Sequence, residues 1–155
     1  MANWCYNRVE FTGSEFALTD VKLMFQELAE KSKADEKGQL PEFIKTDDGY
    51  FFDIYSEDDI VYYETRWSPN TGNLKTIADE YGLGFVHNYE ESGNCIYGEA
   101  TYKDGVLTDV YLDFEDFDLY EYDEEKEAYS FEGEFYECCE EIQEILLERK
   151  KKLKS

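Results

Sequence analysis

Apolar and polar positions along the chain change period several times, and each change marks an element. Trp4, Tyr6, Arg8 and Glu10 alternate with Cys5, Asn7, Val9 and Phe11, the two-residue period of a strand over Trp4–Phe11. Gly13-Ser14 breaks the strand, and Ser14 has the side chain of a helix cap. From there to about Lys33, Leu18, Val21, Phe25, Leu28 and Ala29 recur at helical spacing, with Lys31 and Lys33 suited to the end of the helix dipole. The polar stretch from Ser32 to Gln39 reads as a loop and Leu40 to Lys45 as a second irregular piece. Two aromatic strands, Tyr50–Tyr55 and Ile60–Trp67, flank the acidic turn Ser56-Glu57-Asp58-Asp59 and predict a hairpin.

Ser68-Pro69 is the sharpest local signal. Ser68 can cap a helix and Pro69 fits its first position, where no N–H is needed. Leu74, Ile77, Ala78 and Tyr81 give that helix a buried face, and Gly82 ends it. Strand Phe85–Tyr89, a turn at Glu91–Asn94 and strand Cys95–Tyr102 follow. Lys103-Asp104-Gly105 then turns the chain into strand Val106–Phe114. In that strand Val106, Val110, Leu112 and Phe114 point one way, and Asp109, Tyr111, Asp113 and Glu115 the other. The stretch from Asp118 to Phe131 has no clean period; its nearest match is a hairpin of Asp118–Tyr122 with Glu127–Phe131. Glu134 to about Lys152 reads as a third helix, packing through Phe135, Cys139, Ile142 and Leu146.

The first six elements, strand-helix-strand-strand-helix-strand, match the split βαβ core (βαββαβ) of ferredoxin-like α+β folds, followed by a hairpin extension and a long acidic helix. One domain is expected over 1–155, with core and hairpin over 1–115 and an acidic extension with the helix over 116–155. The chain shows no internal repeat and no linker. That fold hosts many unrelated functions, so function has to come from elsewhere.

Charge changes the picture. Fifteen basic residues face 38 acidic ones, a net charge of -23 on 155 residues. Aromatic residues reach 17%, fourteen of them Tyr, whereas disordered acidic chains are poor in rings; the chain is expected to fold. Glu134, Glu137, Glu141, Glu144 and Glu148 recur at spacings of three and four, one stripe of the predicted helix. Successive charges would sit roughly 5 Å apart along its axis. Asp113 and Glu115 on one strand face would lie roughly 7 Å apart. DNA carries a charge every ~1.7 Å, so only strand row and stripe together, on one face, approach that density. Such a surface repels polyanions and membranes of anionic lipid and attracts a basic partner. The N-terminus, from Met1 to Cys5, lacks the basic and apolar regions of a leader. No run approaches the ~18 apolar residues of a membrane span. Four cysteines without a secretory context read as reduced thiols, and a cytoplasmic location is expected.

Three motifs carry a resemblance: the opening Asn3-Trp4-Cys5-Tyr6-Asn7-Arg8, Trp67-Ser68-Pro69 before a helix, and Gly98-Glu99 ahead of Tyr102-Lys103-Asp104-Gly105. In these the chain resembles the YubB-like family over roughly residues 1–115. The resemblance implies a ferredoxin-like domain and a plasmid, phage or other mobile-element context, in which interference with host defence is a common task. It transfers no activity and no catalytic residue.

Other chemistries fare worse. Asp113 to Asp118 offers oxygen ligands but lacks the glycine and glutamate spacing of a calcium loop. Cys138 and Cys139 are adjacent, against the wider spacing of zinc sites. His87, the one histidine, falls in a strand, where packing is the commoner role; a Cys95–His87 pair is its catalytic alternative. No glycine-rich phosphate loop occurs, so no cofactor and no metal are expected. Trp4, Tyr62, Tyr63 and Trp67 could form a base-stacking platform, but the charge has the wrong sign for nucleic acid, and Trp67 reads as a core anchor. The basic tail Arg149-Lys150-Lys151-Lys152 reads as the complement of a helix C-terminus.

The expectation is a non-enzymatic acidic binding protein. Asp109, Asp113, Glu115, Glu134, Glu137, Glu141, Glu144 and Glu148 would present carboxylates to a basic protein surface. As a DNA mimic it would occupy a host nuclease or defence complex. An immunity-type inhibitor of a basic toxin and an acidic structural domain without an inhibitory role are the alternatives.

Overall fold

The computed structural model describes residues 3–154; Met1 and Ala2, part of the stretch read for a leader, and Ser155 lie outside them. β1 (Trp4–Thr12) runs through the middle of a six-stranded antiparallel sheet, and its buried residues Cys5, Asn7, Val9 and Phe11 are the alternate set the sequence predicts. α1 (Glu15–Asp35) starts where expected, because the Ser14 hydroxyl accepts the Ala17 N–H at 3.2 Å. β2 (Phe52–Glu57) and β3 (Ile60–Arg66) form the aromatic hairpin. α2 (Thr71–Tyr81) ends at Gly82, whose left-handed φ of 68° a glycine adopts without a Cβ clash. β4 (Gly84–Glu91), β5 (Ile96–Lys103) and β6 (Val106–Tyr111) complete the sheet in the order β2-β3-β1-β4-β5-β6. Each long crossover joins strands with one strand between them: β1–α1–β2 spans β3, and β3–α2–β4 spans β1. The family of α+β folds expected from the sequence is therefore present, with β5 and β6 added beyond β4.

α1 and α2 cover one face of the sheet, where Val9, Phe25, Phe51, Leu74, Ile77 and Phe85 close the main core. A second, smaller core lies on the opposite face. Val110 of β6 and Leu112 pack there against Phe131 and against Ile142, Leu146 and Leu147 of α4 (Cys139–Lys154). Between β6 and α4 the chain makes a one-turn helix, α3 (Phe114–Phe117), and a three-stranded sheet of β7 (Glu121–Asp123), β8 (Ala128–Phe131) and β9 (Glu134–Tyr136). No helix among the described residues is long and apolar enough to cross a membrane.

Four local expectations are corrected. The C-terminal helix begins at Cys139, not Glu134. Glu132 and Gly133 take left-handed φ values of 50° and 82°, a two-residue hairpin turn that pairs Phe131 with Glu134 and makes Glu134–Tyr136 a strand. Phe135 accordingly leaves the core and lies under the Lys126 ammonium, 4.0 Å from its ring centre. The strand after Gly105 stops at Tyr111, because Asp113 caps α3 in a reciprocal box with Asp116. Ser68 and Pro69 precede α2 rather than start it; Asn70 is the N-cap residue, but its side chain instead accepts from Tyr63 (2.7 Å) and donates to the Gly49 carbonyl (3.0 Å). Trp67, with a φ of 69°, turns outward and is 52% exposed, so it is no core anchor.

Candidate functional site

The structure scatters the eight carboxylates singled out in the sequence. Asp109 sits on the α1/α2 side of β6, where it accepts from the Tyr89 hydroxyl at 2.5 Å, while its neighbour Val110 faces α4. Asp113 holds the Lys150 ammonium at 3.1 Å, which keeps its carboxyl below the usual range, and Asp116 holds the same ammonium at 2.5 Å. Glu115 is exposed on α3. Glu134 lies in β9 and accepts from Tyr136 at 3.2 Å, and Glu137 is exposed just ahead of α4. Only Glu141, Glu144 and Glu148 share α4, and of these Glu148 pairs with Lys151 at 2.9 Å and Glu144 accepts from the Tyr97 hydroxyl at 2.6 Å. Strand row and stripe thus do not merge: Asp109 and the α4 glutamates belong to opposite faces of the sheet.

The basic tail does more than complement a helix end. Arg149 reaches Glu132 at 2.6 Å, Lys150 reaches Asp113 and Asp116, and Lys151 reaches Glu99 at 3.0 Å as well as Glu148. Lys154 donates to the Asp109 carbonyl at 3.2 Å. These contacts tie α4 to α3, to the small sheet and to β5 and β6.

Where α4 overhangs the sheet, a groove of about 370 Å³ opens between them. Its floor comes from strand positions that alternate away from the main core. Tyr6 stands between Glu64 and Glu90, and Arg8 between Tyr62 and Asn88, on β3 and β4 respectively. Tyr97 of β5 and Glu140 and Glu144 of α4 form the wall. Burial raises the Glu90 carboxyl above its ordinary range, and the charge of Glu140 adds to the effect. Burial and the bond to Glu144 likewise raise the Tyr97 phenol, so it stays a donor. Arg8 makes no ion pair or hydrogen bond among the described residues. Gly98 of β5 also lines the groove, where a Cβ would meet the Tyr89 hydroxyl at 2.5 Å. Of the groove residues the sequence singles out Tyr62 and Glu144, but not Tyr6, Arg8, Glu90, Tyr97 or Glu140. Tyr6 and Arg8 show as the polar face of a strand, whereas Glu90 lies beyond the predicted strand Phe85–Tyr89, and the helix that turns this face into a groove starts from a distant part of the chain.

The residues weighed for nucleophilic chemistry lie inside the core. His87 is fully buried; its Nε2 donates to Asn7 Oδ1 at 2.8 Å and its Nδ1 accepts from Thr71 Oγ1 at 3.1 Å. The direction follows from Asn7, whose Nδ2 already donates to the Cys5 carbonyl and to Thr65 Oγ1. Burial pushes His87 down to about 3 and the Cys5 thiol up to about 12, so both are neutral. His87 pairs with Ala100 across the sheet, which leaves Cys95 five residues, roughly 16 Å, further along. The Cys95–His87 pair is not formed. No group of three or more His, Cys, Asp or Glu among the described residues is placed to hold a metal ion.

A family model described as the ferredoxin-like domain in Api92-like protein matches residues 46–132, more than half of the chain. The match runs from the approach to β2 through β8. No curated protein and no solved structure matches the chain.

Proposed function

The chain belongs to the family of ferredoxin-like domains in Api92-like protein, and on that fold we propose a non-enzymatic binding protein that presents carboxylates to a basic protein surface. The observation that carries the reading is the disposition of the C-terminal cations. Arg149, Lys150, Lys151 and Lys154 are engaged within the molecule, so the richest basic stretch of a chain with a net charge of -23 does not offset the carboxylates that face outward. Glu115, Glu137 and Glu141 are such carboxylates, all exposed near α4. A surface of one sign raises the encounter rate with a partner of the other.

The likeness of three motifs to YubB-like proteins supports a mobile-element setting, with a host nuclease or defence complex as the basic partner. In the DNA-mimic form of this proposal the protein fills a nucleic-acid channel, and duplex DNA competes with it. The immunity-type form is favoured by the shaped groove beside α4, since a dedicated partner uses side-chain fit and a mimic uses charge spacing alone.

The test is to capture basic partners from a host lysate, purify the one retained, and titrate it with the parent and with Glu115→Gln/Glu137→Gln/Glu141→Gln. Weaker binding and a shallower salt dependence in the variant are expected. A partner bound equally tightly by both, with the same salt slope, would refute the reading. Competition by duplex DNA then separates mimic from immunity-type inhibitor.

A further inference from the structure

The sheet face away from α1 and α2 is only half covered. α4 spans its β5–β6 end through Tyr97 and Val110, and leaves β2, β3, β1 and β4 without a second layer. Rings stand on the uncovered part: Tyr6 is 57% and Tyr55 58% exposed, and Tyr55 stacks on Tyr62 at 4.9 Å. Arg66 lies over Phe52 at 4.8 Å and over Trp4 at 5.8 Å. Single exposed rings are ordinary, but a contiguous set of Tyr, Trp and Arg is the composition of an interaction surface.

We infer that the groove where this face meets α4 is the docking centre for an extended basic segment of a partner protein, whose arginine or lysine side chains enter between Tyr6, Tyr97 and the α4 glutamates. This rests on the acidic-binder reading above and gives it a location. Charge selects the occupant. Among the described residues lining the groove, Glu90, Glu140 and Glu144 stand with one cation, Arg8. Tyrosine faces and carboxylates are the two surfaces that hold a guanidinium, by cation–π attraction and by charge-assisted hydrogen bonds. Glu90 and Glu140 repel each other across the gap, and a cation between them removes that repulsion. Arg8 suits the backbone of the same segment. It makes no ion pair or hydrogen bond among the described residues, so its N–H groups can donate to main-chain carbonyls while the carboxylates take the side chains. The Tyr97–Glu144 bond fixes the wall before the partner arrives, which lowers the ordering cost of binding.

A nona-arginine peptide is the probe, titrated calorimetrically at low ionic strength, with circular dichroism and melting to confirm folding of each variant. The parent is expected to bind. Tyr6→Ala, and separately Glu140→Gln with Glu144→Gln, should each weaken binding by about tenfold or more. Glu27→Gln with Glu30→Gln removes the same charge from α1, beyond the opposite face, and should change it by less than about threefold. Equal weakening by the two double variants would overturn the groove while leaving the acidic-binder reading intact. No binding by the parent would overturn both. Binding of an oligothymidylate in place of the peptide would likewise overturn the inference.

Discussion

Burial holds the His87 imidazole at about 3, against an ordinary 6.5, so the folded chain keeps it neutral where the unfolded chain would protonate it. Below pH 6.5 the unfolded state binds the extra proton, and stability is lost as pH falls towards 3, by at most ~1.4 kcal/mol per pH unit. Glu64 acts with the opposite sign. Burial, and then the neighbouring Asp53 carboxyl, raise it from 4.5 to about 7, so the folded state binds a proton first and gains stability as pH falls from 7 to 4.5. Glu90 shifts in the same direction. The two trends offset each other between about pH 6.5 and 4.5, and below that the histidine acts without opposition from Glu64. Asp79, Asp113 and Glu132, held low by hydrogen bonds and cations, add to the acid loss. In His87→Gln the unfolded-state proton uptake is gone. Its denaturation midpoint, although lower at pH 7, should therefore rise on going from pH 7 to pH 5, while the parent's stays flat or falls. A parent and variant with parallel pH profiles would refute this assignment.

At the scale of elements the chain has two separable cores, and the smaller one depends on α4. Ile142 is fully buried there against β6 and the small sheet. Ile142→Ala should cost about 2–4 kcal/mol, the usual cost of a cavity in a packed core. Amide exchange should accelerate first in α4 and β7–β9, while β1 and β4 keep their protection. Uniform acceleration across both sheets would mean one cooperative unit. The same division explains what the sequence made legible. β1, β3, α1 and α2 follow from alternation, helical spacing and the Ser14 cap, because each buries one face against the main core. The region after Tyr111 has weaker patterns, and there two signals competed. The three-and-four spacing of Glu134 and Glu137 with the later glutamates looks helical, but Glu132-Gly133 demands a hairpin, and the pairing of Phe131 with Glu134 prevailed. The groove as a site was not legible, although two of its residues, Tyr62 and Glu144, were singled out for other reasons. Tyr6 and Arg8 are visible as a polar strand face, but nothing local places α4 across the β5 end of it.

For the whole molecule, the charge sets two salt responses of opposite sign. Thirty-eight acidic residues against fifteen basic ones repel one another through the solvent, and at ~0.1 M salt the screening length falls to ~10 Å. The ion pairs that salt would weaken involve partly exposed side chains, such as Lys22–Asp59 and Lys75–Asp79, and solvent-exposed pairs contribute little to stability. Repulsion spread over a net charge of -23 outweighs them. Raising salt from low to moderate at pH 7 should therefore increase the melting temperature, by roughly 2–4 °C if about 1 kcal/mol is gained. Association with a basic partner, as proposed, should respond the other way, because the same field would draw it in. Its on-rate for nona-arginine should fall about tenfold or more over the same range, while the off-rate changes less. Differential scanning calorimetry and stopped-flow fluorescence of the exposed Tyr and Trp rings read the two quantities separately. A melting temperature that drops with salt would show that the ion pairs outweigh the net repulsion, and a salt-independent on-rate would remove long-range attraction from the account of binding.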